Sequence, residues 1–193
     1  MGDEPSVDRN SVLFWRDLTP LNGADICLEA YEKLASKYPH IDFVIAVRPW
    51  FEESPGAEEL SRRFGNVKIY RFPYPSGISL PLLMNKALCV LLPFRTLTID
   101  PQMAVLESLA FGRPVITTNI QSNPEYIRNG VNGFLIPPND AVSAINAISS
   151  LLLDKDKALK MGTVAADSMA HDYSWQEYAR QLMEIYESTK EKN

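Results

Sequence analysis

Short apolar runs alternate with segments of helical spacing along this chain, and this alternation constrains the fold more than any other feature. Four runs are almost entirely apolar or β-branched, as expected for parallel strands covered on both faces; they span residues 12–15, 43–47, 87–92 and 115–118. A fifth run, residues 67–72, alternates apolar with charged side chains, which predicts a strand at the edge of the sheet.

Segments with helical periodicity separate these predicted strands. Apolar residues recur at helical spacing from Cys27 to Tyr38, after the start signal Ser54-Pro55, and after a predicted cap at Asp140. Alternating strands and helices imply right-handed crossovers and an open parallel sheet. We therefore predict an α/β fold with a Rossmann-like, doubly wound parallel sheet, followed by a C-terminal helix. We assign the strand order 3-2-1-4-5-6, as in dinucleotide-binding folds.

Size and composition favour one domain with a full core. The chain has 193 residues, 46% of them hydrophobic; we assign residues 11–193 to the domain and the polar residues 1–10 to a flexible N-terminal segment. A net charge of −5 with scattered basic residues argues against nucleic-acid binding. Because no apolar stretch has the length of a transmembrane span, and residues 1–10 do not resemble a signal peptide, we expect a cytoplasmic protein. Cys27 and Cys89 lack the spacing of a zinc or redox site, which favours core positions for both.

The predicted strand order also locates a ligand site. In an open parallel sheet, ligands bind beyond the carboxyl ends of the strands, where the strand order reverses. That point lies between the first and fourth strands, beside residues 16–23 and 93–101. The second loop leads into a predicted helix over residues 101–111, with Asp100 as N-cap and Pro101 at its first position. The N–H groups of such a helix end favour an anion.

Glu107 is a carboxylate within this otherwise apolar helix, which the pattern predicts to be buried. A buried carboxylate must be paired or hydrogen-bonded, because its desolvation is costly. Two interpretations follow. Glu107 is satisfied by backbone N–H groups or by a buried arginine, or it accepts two hydrogen bonds from a ligand diol such as a ribose.

Three further positions have the pattern of a helix start. Ser122 with Glu125, and Ser174 with Glu177, have the spacing of a capping box. Asp154, in the run Asp-Lys-Asp, is interpreted as a cap rather than a metal ligand. The helix after Ser174 has an apolar stripe that packs either on the body of this domain or on a second domain absent from the chain; the stripe comprises Trp175, Tyr178, Ala179, Leu182 and Tyr186.

Several runs resemble the donor-binding signature of one enzyme family. They are LPFRTLTIDPQMAVLESLAFGRPVITT at residues 92–118, Pro-Glu-Tyr at 124–126, NGVNGFLIPPND at 129–140 and Tyr-Ser-Trp at 173–175. Together they resemble the retaining glycosyltransferases of family 4, which have the two-lobed GT-B architecture. The resemblance covers residues 11–187. It implies that this chain is the C-terminal, nucleotide-sugar-binding lobe, without the N-terminal lobe that binds the acceptor.

The resemblance implies roles for two positions in the predicted helix region. Glu107 matches the second of two family glutamates spaced eight residues apart, the one that binds the donor ribose. Ile99 occupies the position of the first glutamate, which contacts the transferred sugar. Asp100 is the neighbouring carboxylate and a candidate for that catalytic role, with helix capping as the alternative.

The diphosphate site departs from the family pattern as well. Asp17 and Asn22 occupy the positions of a family arginine and lysine that neutralise the phosphates, and a shift of one residue brings Arg16 into the arginine's place. We therefore take Arg16 as a catalytic and diphosphate-binding residue, with Asn22 and Arg95 as further candidates for the diphosphate. Arg95 is alternatively an ordinary exposed loop arginine. The base-binding stretch of the family corresponds to Tyr70, Arg71 and Phe72.

The resemblance predicts transfer of a hexose from a nucleoside-diphosphate sugar to a glycan or lipid-linked acceptor, with retention of configuration and without an obligatory metal or other cofactor. The isolated lobe is expected to be inactive, and the expected cytoplasmic location includes the inner face of the membrane. Two alternatives stay open. One is a lobe that binds a nucleotide or a protein partner without transfer, which the departures at Asp17, Asn22 and Ile99 suggest; the other is a sugar-nucleotide epimerase, which shares the architecture.

Overall fold

The computed structural model describes residues 8–48 and 54–190, and these form a parallel sheet of six strands. The strand order is β3-β2-β1-β4-β5-β6, which confirms the predicted doubly wound order and the edge position of the charged strand. A sixth strand, in the run at 129–140, was not identified from the sequence. The strands are β1 (Ser11–Phe14), β2 (Asp42–Val47), β3 (Val67–Arg71), β4 (Ala87–Leu92), β5 (Val115–Thr118) and β6 (Gly133–Ile136).

Eight α-helices lie in the described parts of the chain. The sequence pattern did not predict α3, whose seven residues are too few to show a helical period. The helices are α1 (Ala24–Ala35), α2 (Pro55–Arg63), α3 (Leu80–Lys86), α4 (Met103–Ala110), α5 (Asn123–Tyr126), α6 (Ala141–Leu153), α7 (Lys155–His171) and α8 (Trp175–Lys190). None of them is long and apolar enough to cross a membrane.

The core consists of two apolar layers, one on each face of the sheet. Side chains of β1 alternate between them: Val12 and Phe14 belong to the layer under α1 and α6, and Leu13 and Trp15 to the layer under α4 and α7. Both faces are covered, so every residue of β1 and β4 is buried. This explains the continuous apolar runs in the sequence.

Side-chain caps fix several helix starts. The N–H of Ser143 donates to Asp140 Oδ1 at 2.9 Å, and that of Lys157 donates to Asp154 Oδ1 at 2.9 Å, which confirms both predicted caps. The N–H of Glu177 donates to Ser174 Oγ at 3.2 Å. These three bonds satisfy N–H groups that have no partner within their own helices.

The capping box predicted for Ser122 and Glu125 is wrong. Ser122 precedes α5, but its side chain makes no capping bond to that helix. Its hydroxyl donates instead to the carboxylate of Asp100, across the loop that precedes α4. A long-range carboxylate therefore replaces the local partner that the sequence spacing suggested.

Part of the predicted apolar stripe of α8 is exposed. Tyr178 and Tyr186 are both exposed, as is Met183 nearby. The chain just before the helix is anchored, because the Tyr173 hydroxyl donates to the carbonyl of Glu125. The expectation that the stripe packs on the body of the domain is therefore wrong for these side chains, and α8 presents an apolar surface.

Gly23 brings the loops after β1 and β4 into direct contact. Its φ of +72° lies in the left-handed region, and a Cβ at this position would lie 1.9 Å from the carbonyl oxygen of Pro93. Glycine alone avoids both the strain and the overlap. The first residue of α1 follows directly, so this contact sets the position of that helix end relative to β4.

We expect Gly23→Ala to destabilise the domain by at least about 2 kcal/mol, because the methyl group meets backbone that cannot move aside easily. Gly65→Ala is the matched control: nothing lies within 4 Å of the added Cβ. The control should change the free energy of unfolding by less than about 0.5 kcal/mol. Urea unfolding of both variants measures this difference. Equal effects at the two positions would show that the contact with Pro93 is not a constraint.

Candidate functional site

The strand order reverses between β1 and β4, and the loops after these two strands line one crevice. The N–H of Arg95 donates to the carbonyl of Leu21 at 2.9 Å, and Gly23 lies against Pro93, so the two loops are held together. This is the position at which open parallel sheets bind ligands. The predicted location of the site therefore rests on an observed strand order.

Helix α4 is docked on the end of β1 by a buried polar contact. The indole N–H of Trp15 donates to Ser108 Oγ at 3.1 Å, and this hydroxyl donates to the carbonyl of Ala104 at 2.6 Å. Trp15 and Ser108 are both buried. Because Ser108 follows Glu107 directly, the contact fixes the part of α4 that carries the predicted ribose ligand.

Glu107 is exposed, so the prediction that it is buried is wrong. One side of α4 packs on the sheet and on α7, whereas Met103, Glu107 and Phe111 form an exposed row on another side. An apolar pattern around the whole helix suggested burial all round, but no described part of the chain covers this row. The Glu107 carboxylate has no hydrogen bond or ion pair to another described residue, so neither partner expected from the sequence satisfies it.

The start of α4 also differs from the prediction. The helix begins at Met103 with Gln102 as N-cap residue, and the Gln102 side chain makes no capping bond. Asp100 lies outside the helix and is exposed, with its carboxylate bound to the hydroxyl of Ser122. Asp100 as helix cap is therefore wrong, and the tip of the loop is formed by Asp100 and the exposed Ile99.

The Arg95 side chain is hydrogen-bonded within the fold and stabilises the loop before α4. Its guanidinium donates to the carbonyl of Pro20 at 3.0 Å, to the carboxylate of Asp25 and to the side-chain oxygen of Asn139. These contacts join the segments before α1, before α4 and before α6. These bonds use three of the five N–H donors of the guanidinium, and a diphosphate role for Arg95 stays a prediction.

Gln121 holds the same loop from the other side. The Leu97 N–H donates to Gln121 Oε1 at 2.7 Å, and the Gln121 amide donates to the Leu97 carbonyl at 3.3 Å. The loop is thus attached at both ends. Its tip at Ile99 and Asp100 faces solvent.

Arg16 is a half-buried cation at the carboxyl end of β1. Its Nε is enclosed and has no hydrogen-bond partner among the described residues, and its guanidinium carbon lies 5.9 Å from the ring centroid of Phe94. Burial lowers the pKa of Arg16 and the charge of Arg48 lowers it further, whereas the carboxylates of Asp17 and Glu107 raise it. Arg16 therefore lies close enough to Glu107 for that carboxylate to favour its charged form, although the two residues are distant in sequence.

Asp17 is the buried carboxylate of this site. It is 7% exposed, and its Oδ1 has no hydrogen-bond partner in the described structure. Burial raises the pKa of Asp17, although the charges of Arg16 and Arg48 oppose the shift. The side chain of Asn22 donates to the Asp17 carbonyl at 3.1 Å, so Asn22 holds the turn and has its amide occupied.

The three predicted base-binding residues have different environments in the structure. Tyr70 packs on the apolar layer beneath the sheet and lines a cleft of about 370 Å³ along β2 and β3, which also contains Ser11 from the amino end of β1. Arg71 is paired with Glu58. Phe72 is 54% exposed and meets Tyr74 edge to face, with ring centroids 5.8 Å apart. Of the predicted three, Phe72 is the side chain available at the carboxyl end of β3.

Two further residues belong to this end of the sheet but were not predicted. Arg48 follows β2 directly and is exposed, and its charge acts on Arg16, Asp17 and Tyr74. Tyr74 is half-buried after β3. A charged residue directly after an apolar strand was the available sequence signal for Arg48. No local pattern distinguished Tyr74.

The six-stranded parallel sheet of order β3-β2-β1-β4-β5-β6, with apolar layers on both faces, is that of a Rossmann-like GT-B lobe. The family model for glycosyl transferases group 1 matches residues 3–168, so the chain belongs to this family. D-inositol 3-phosphate glycosyltransferase of Corynebacterium urealyticum is 28% identical over 177 residues, which are 89% of this chain and 41% of that protein. The chain thus spans less than half the length of this relative.

Two solved structures show the same fold. The C-terminal domain of a group 1 family glycosyl transferase, LpcC from Francisella tularensis, superposes with a TM-score of 0.71 at 18% identity, covering 87% of this chain and 88% of that domain. Anabaena Alr3699/HepE in complex with UDP and glucose superposes with a TM-score of 0.70 at 22% identity, covering 94% of this chain and 49% of that protein.

We expect Asp17→Asn to stabilise the domain at pH 7 by roughly 1–2 kcal/mol, because it removes an incompletely bonded buried charge. Since the folded-state pKa of Asp17 is raised, the stability that its protonation provides is present at acid pH and lost as the pH rises through that pKa. The advantage of the variant should therefore shrink as the pH is lowered.

Urea unfolding from pH 7 downwards tests this dependence. Asp167→Asn is the control, since Asp167 is exposed on α7 and its substitution should change stability by less than about 0.5 kcal/mol. An Asp17→Asn variant less stable than the original chain at pH 7 would mean that the carboxylate is bonded within the fold.

Proposed function

We propose that this chain is the donor-binding lobe of a retaining glycosyltransferase that transfers a hexose from a nucleoside-diphosphate sugar. One observation carries the proposal: the half-buried Arg16, whose Nε has no hydrogen-bond partner among the described residues, follows β1 at the point where the strand order reverses, and the exposed Glu107 lies on α4, which packs against the end of β1. A cation and an uncommitted carboxylate on either side of this crevice suit a phosphate and a sugar diol, respectively.

Glu107 is the proposed ribose ligand. A carboxylate can accept hydrogen bonds from two neighbouring hydroxyl groups, and such charge-assisted bonds are stronger than neutral ones. Its exposed position on α4 leaves it accessible, and the Trp15–Ser108 contact holds the helix in place. Glu107 has no hydrogen-bond partner among the described residues. In this proposal, the ribose hydroxyl groups of the ligand are its partners.

Arg16 is the proposed diphosphate ligand. Arg95 and Asn22 both donate hydrogen bonds to other parts of the fold, whereas Arg16 Nε has no hydrogen-bond partner among the described residues. When the bond between the anomeric carbon and the phosphate oxygen breaks, negative charge grows on the leaving diphosphate. A guanidinium already positioned there stabilises the transition state more than the ground state. This gives Arg16 its catalytic role.

Asp100 is a weaker candidate for a role at the transferred sugar. One of its carboxylate oxygens, Oδ1, accepts the hydrogen bond of Ser122, which leaves Oδ2 to accept one from a sugar hydroxyl. The side chain is exposed, so the fold holds it less firmly than a preorganised sugar ligand.

The acceptor is proposed to bind to a second lobe that closes the crevice. The exposed row on α4 and the exposed aromatic side chains of α8 are the apolar surfaces that such a lobe would cover. The acceptor is a glycan or a lipid-linked glycan in this proposal, and no metal or other cofactor is needed for donor binding. The isolated lobe should bind the donor without transferring the sugar.

A second candidate function is nucleotide or partner binding without transfer. The observation in its favour is Ile99, which is 68% exposed at the loop tip where the resemblance implies a sugar-binding carboxylate. Transfer and donor hydrolysis assayed on the full-length protein separate the two candidates. Nucleotide binding without either reaction would support the second.

We expect Glu107→Gln to weaken the binding of UDP or GDP by roughly 1–3 kcal/mol, because the charged hydrogen bonds to the ribose are lost. Calorimetric titration of the chain with both nucleotides measures the change. Glu29→Gln is the control, since Glu29 is an exposed carboxylate on α1 and its substitution should leave affinity unaltered. Unchanged affinity in Glu107→Gln, or no binding of either nucleotide to the original chain, would remove Glu107 from the ribose site.

Arg16→Ala should weaken the binding of UDP or GDP about tenfold or more, because the lost contact is to phosphate. The affinity for uridine or guanosine should stay unaltered. Arg62→Ala on the exposed surface of α2 is the matched control. The comparison requires titration of each variant with the nucleoside and its diphosphate. Equal losses for both ligands would place Arg16 outside the phosphate site.

A further inference from the structure

The transferred sugar requires a hydrogen-bond acceptor that the predicted position does not provide. Ile99 has an aliphatic side chain, Asp100 is bonded to Ser122, and Asp25 is paired with Arg95. Sugar hydroxyl groups are bound well by carboxylates, because a charged acceptor strengthens the bond. If the crevice binds a nucleotide sugar, a buried carboxylate beside Arg16 is a further candidate for this purpose.

Asp17 has the properties of such a carboxylate. More than nine-tenths of its surface is buried, yet Oδ1 accepts no hydrogen bond in the described structure. The backbone around it is fixed, since both the Thr19 N–H at 2.7 Å and the Asn22 side chain at 3.1 Å donate to the Asp17 carbonyl. A buried acceptor without a donor is costly, which makes it a candidate for a ligand contact.

The neighbouring Arg16 has the complementary unsatisfied group. Among the described residues, Arg16 Nε is a buried donor without an acceptor and Asp17 Oδ1 is a buried acceptor without a donor, and the two do not bond to each other. Both follow β1 at the point of strand reversal. A ligand that satisfies both must accept a hydrogen bond at one group and donate one from another close by. A sugar phosphate does so, with a phosphate oxygen and a ring hydroxyl.

We propose that Asp17 determines recognition of the transferred sugar, by accepting a hydrogen bond from a hydroxyl group of the hexose while Arg16 binds the adjacent phosphate. This proposal rests on the proposed donor-binding function. It makes Asp17 a specificity residue at the position where the resemblance places a phosphate-binding arginine. Arg48, which follows the adjacent strand β2, supplies a second positive charge near Asp17 and offsets its repulsion of the phosphates.

Comparing the affinity of each nucleotide with that of its sugar conjugate distinguishes the contribution of the sugar from that of the nucleotide. The full 193-residue chain and its Asp17→Asn variant are titrated with UDP and UDP-glucose, and with GDP and GDP-mannose. In the original chain, a sugar conjugate should bind more tightly than its nucleotide. Asp17→Asn should weaken the binding of that conjugate about tenfold. The affinity for the nucleotide should stay equal or increase, because the substitution removes a negative charge near the phosphates.

A second variant, Asp17→Ser, and unfolding curves for both variants show whether the fold is intact. Folded variants that lose the advantage of the sugar conjugate but keep nucleotide affinity support the proposal. If the original chain binds nucleotides but gains nothing from the sugar, or if Asp17→Asn changes both ligands equally, the Asp17 proposal is wrong while nucleotide binding stands. If no nucleotide or conjugate binds, the donor-binding function and the Asp17 proposal are both wrong.

Discussion

The contact between the loops that follow β1 and β4 is the constraint on which the candidate site depends. At Gly23 the backbone passes so close to the carbonyl of Pro93 that a Cβ would overlap with it, and the N–H of Arg95 donates to the carbonyl of Leu21 in the loop after β1. This contact places the ends of two central strands side by side. Arg16 and Asp17, after β1, thereby lie opposite the helix that carries Glu107, although about ninety residues separate them in the chain.

Unsatisfied polar groups concentrate at this position. Arg16 Nε and Asp17 Oδ1 are two of the four buried side-chain atoms without a hydrogen-bond partner in the described residues, and Glu107 nearby has no partner either. Elsewhere around the crevice, Asn22, Arg95 and Gln121 have their polar groups bonded within the loops. The bonded residues hold the loops in place, and the unbonded ones leave hydrogen-bonding capacity for a ligand. Retaining an unpaired buried charge lowers stability, which is common at functional sites.

Much of the fold could be predicted, because burial on both faces of a parallel sheet leaves a strong pattern. The uninterrupted apolar runs at 87–92 and 115–118 coincide with β4 and β5, and the alternating run at 67–72 is the edge strand β3. Local caps such as Asp140 were also predictable, since donor and acceptor lie three residues apart. The pairing of Ser122 with Asp100 was not, because the partner is 22 residues away in sequence and no local spacing indicates it.

The sequence by itself determined the family, the alternation of strands and helices, and the carboxylate at position 107, since these follow from periodicity and from motifs of fixed spacing. The strand order was assigned by likeness to dinucleotide-binding folds, and the structure confirms it. Only the tertiary structure decided which charged side chains are buried and which are paired. It showed that Glu107 is exposed because one side of α4 is left uncovered, that Arg95 is bonded within the fold, and that Asp17 is buried beside Arg16 without a hydrogen bond to Oδ1. Burial and pairing depend on segments distant in the chain, so a local pattern can identify a charged residue without indicating whether it has a partner.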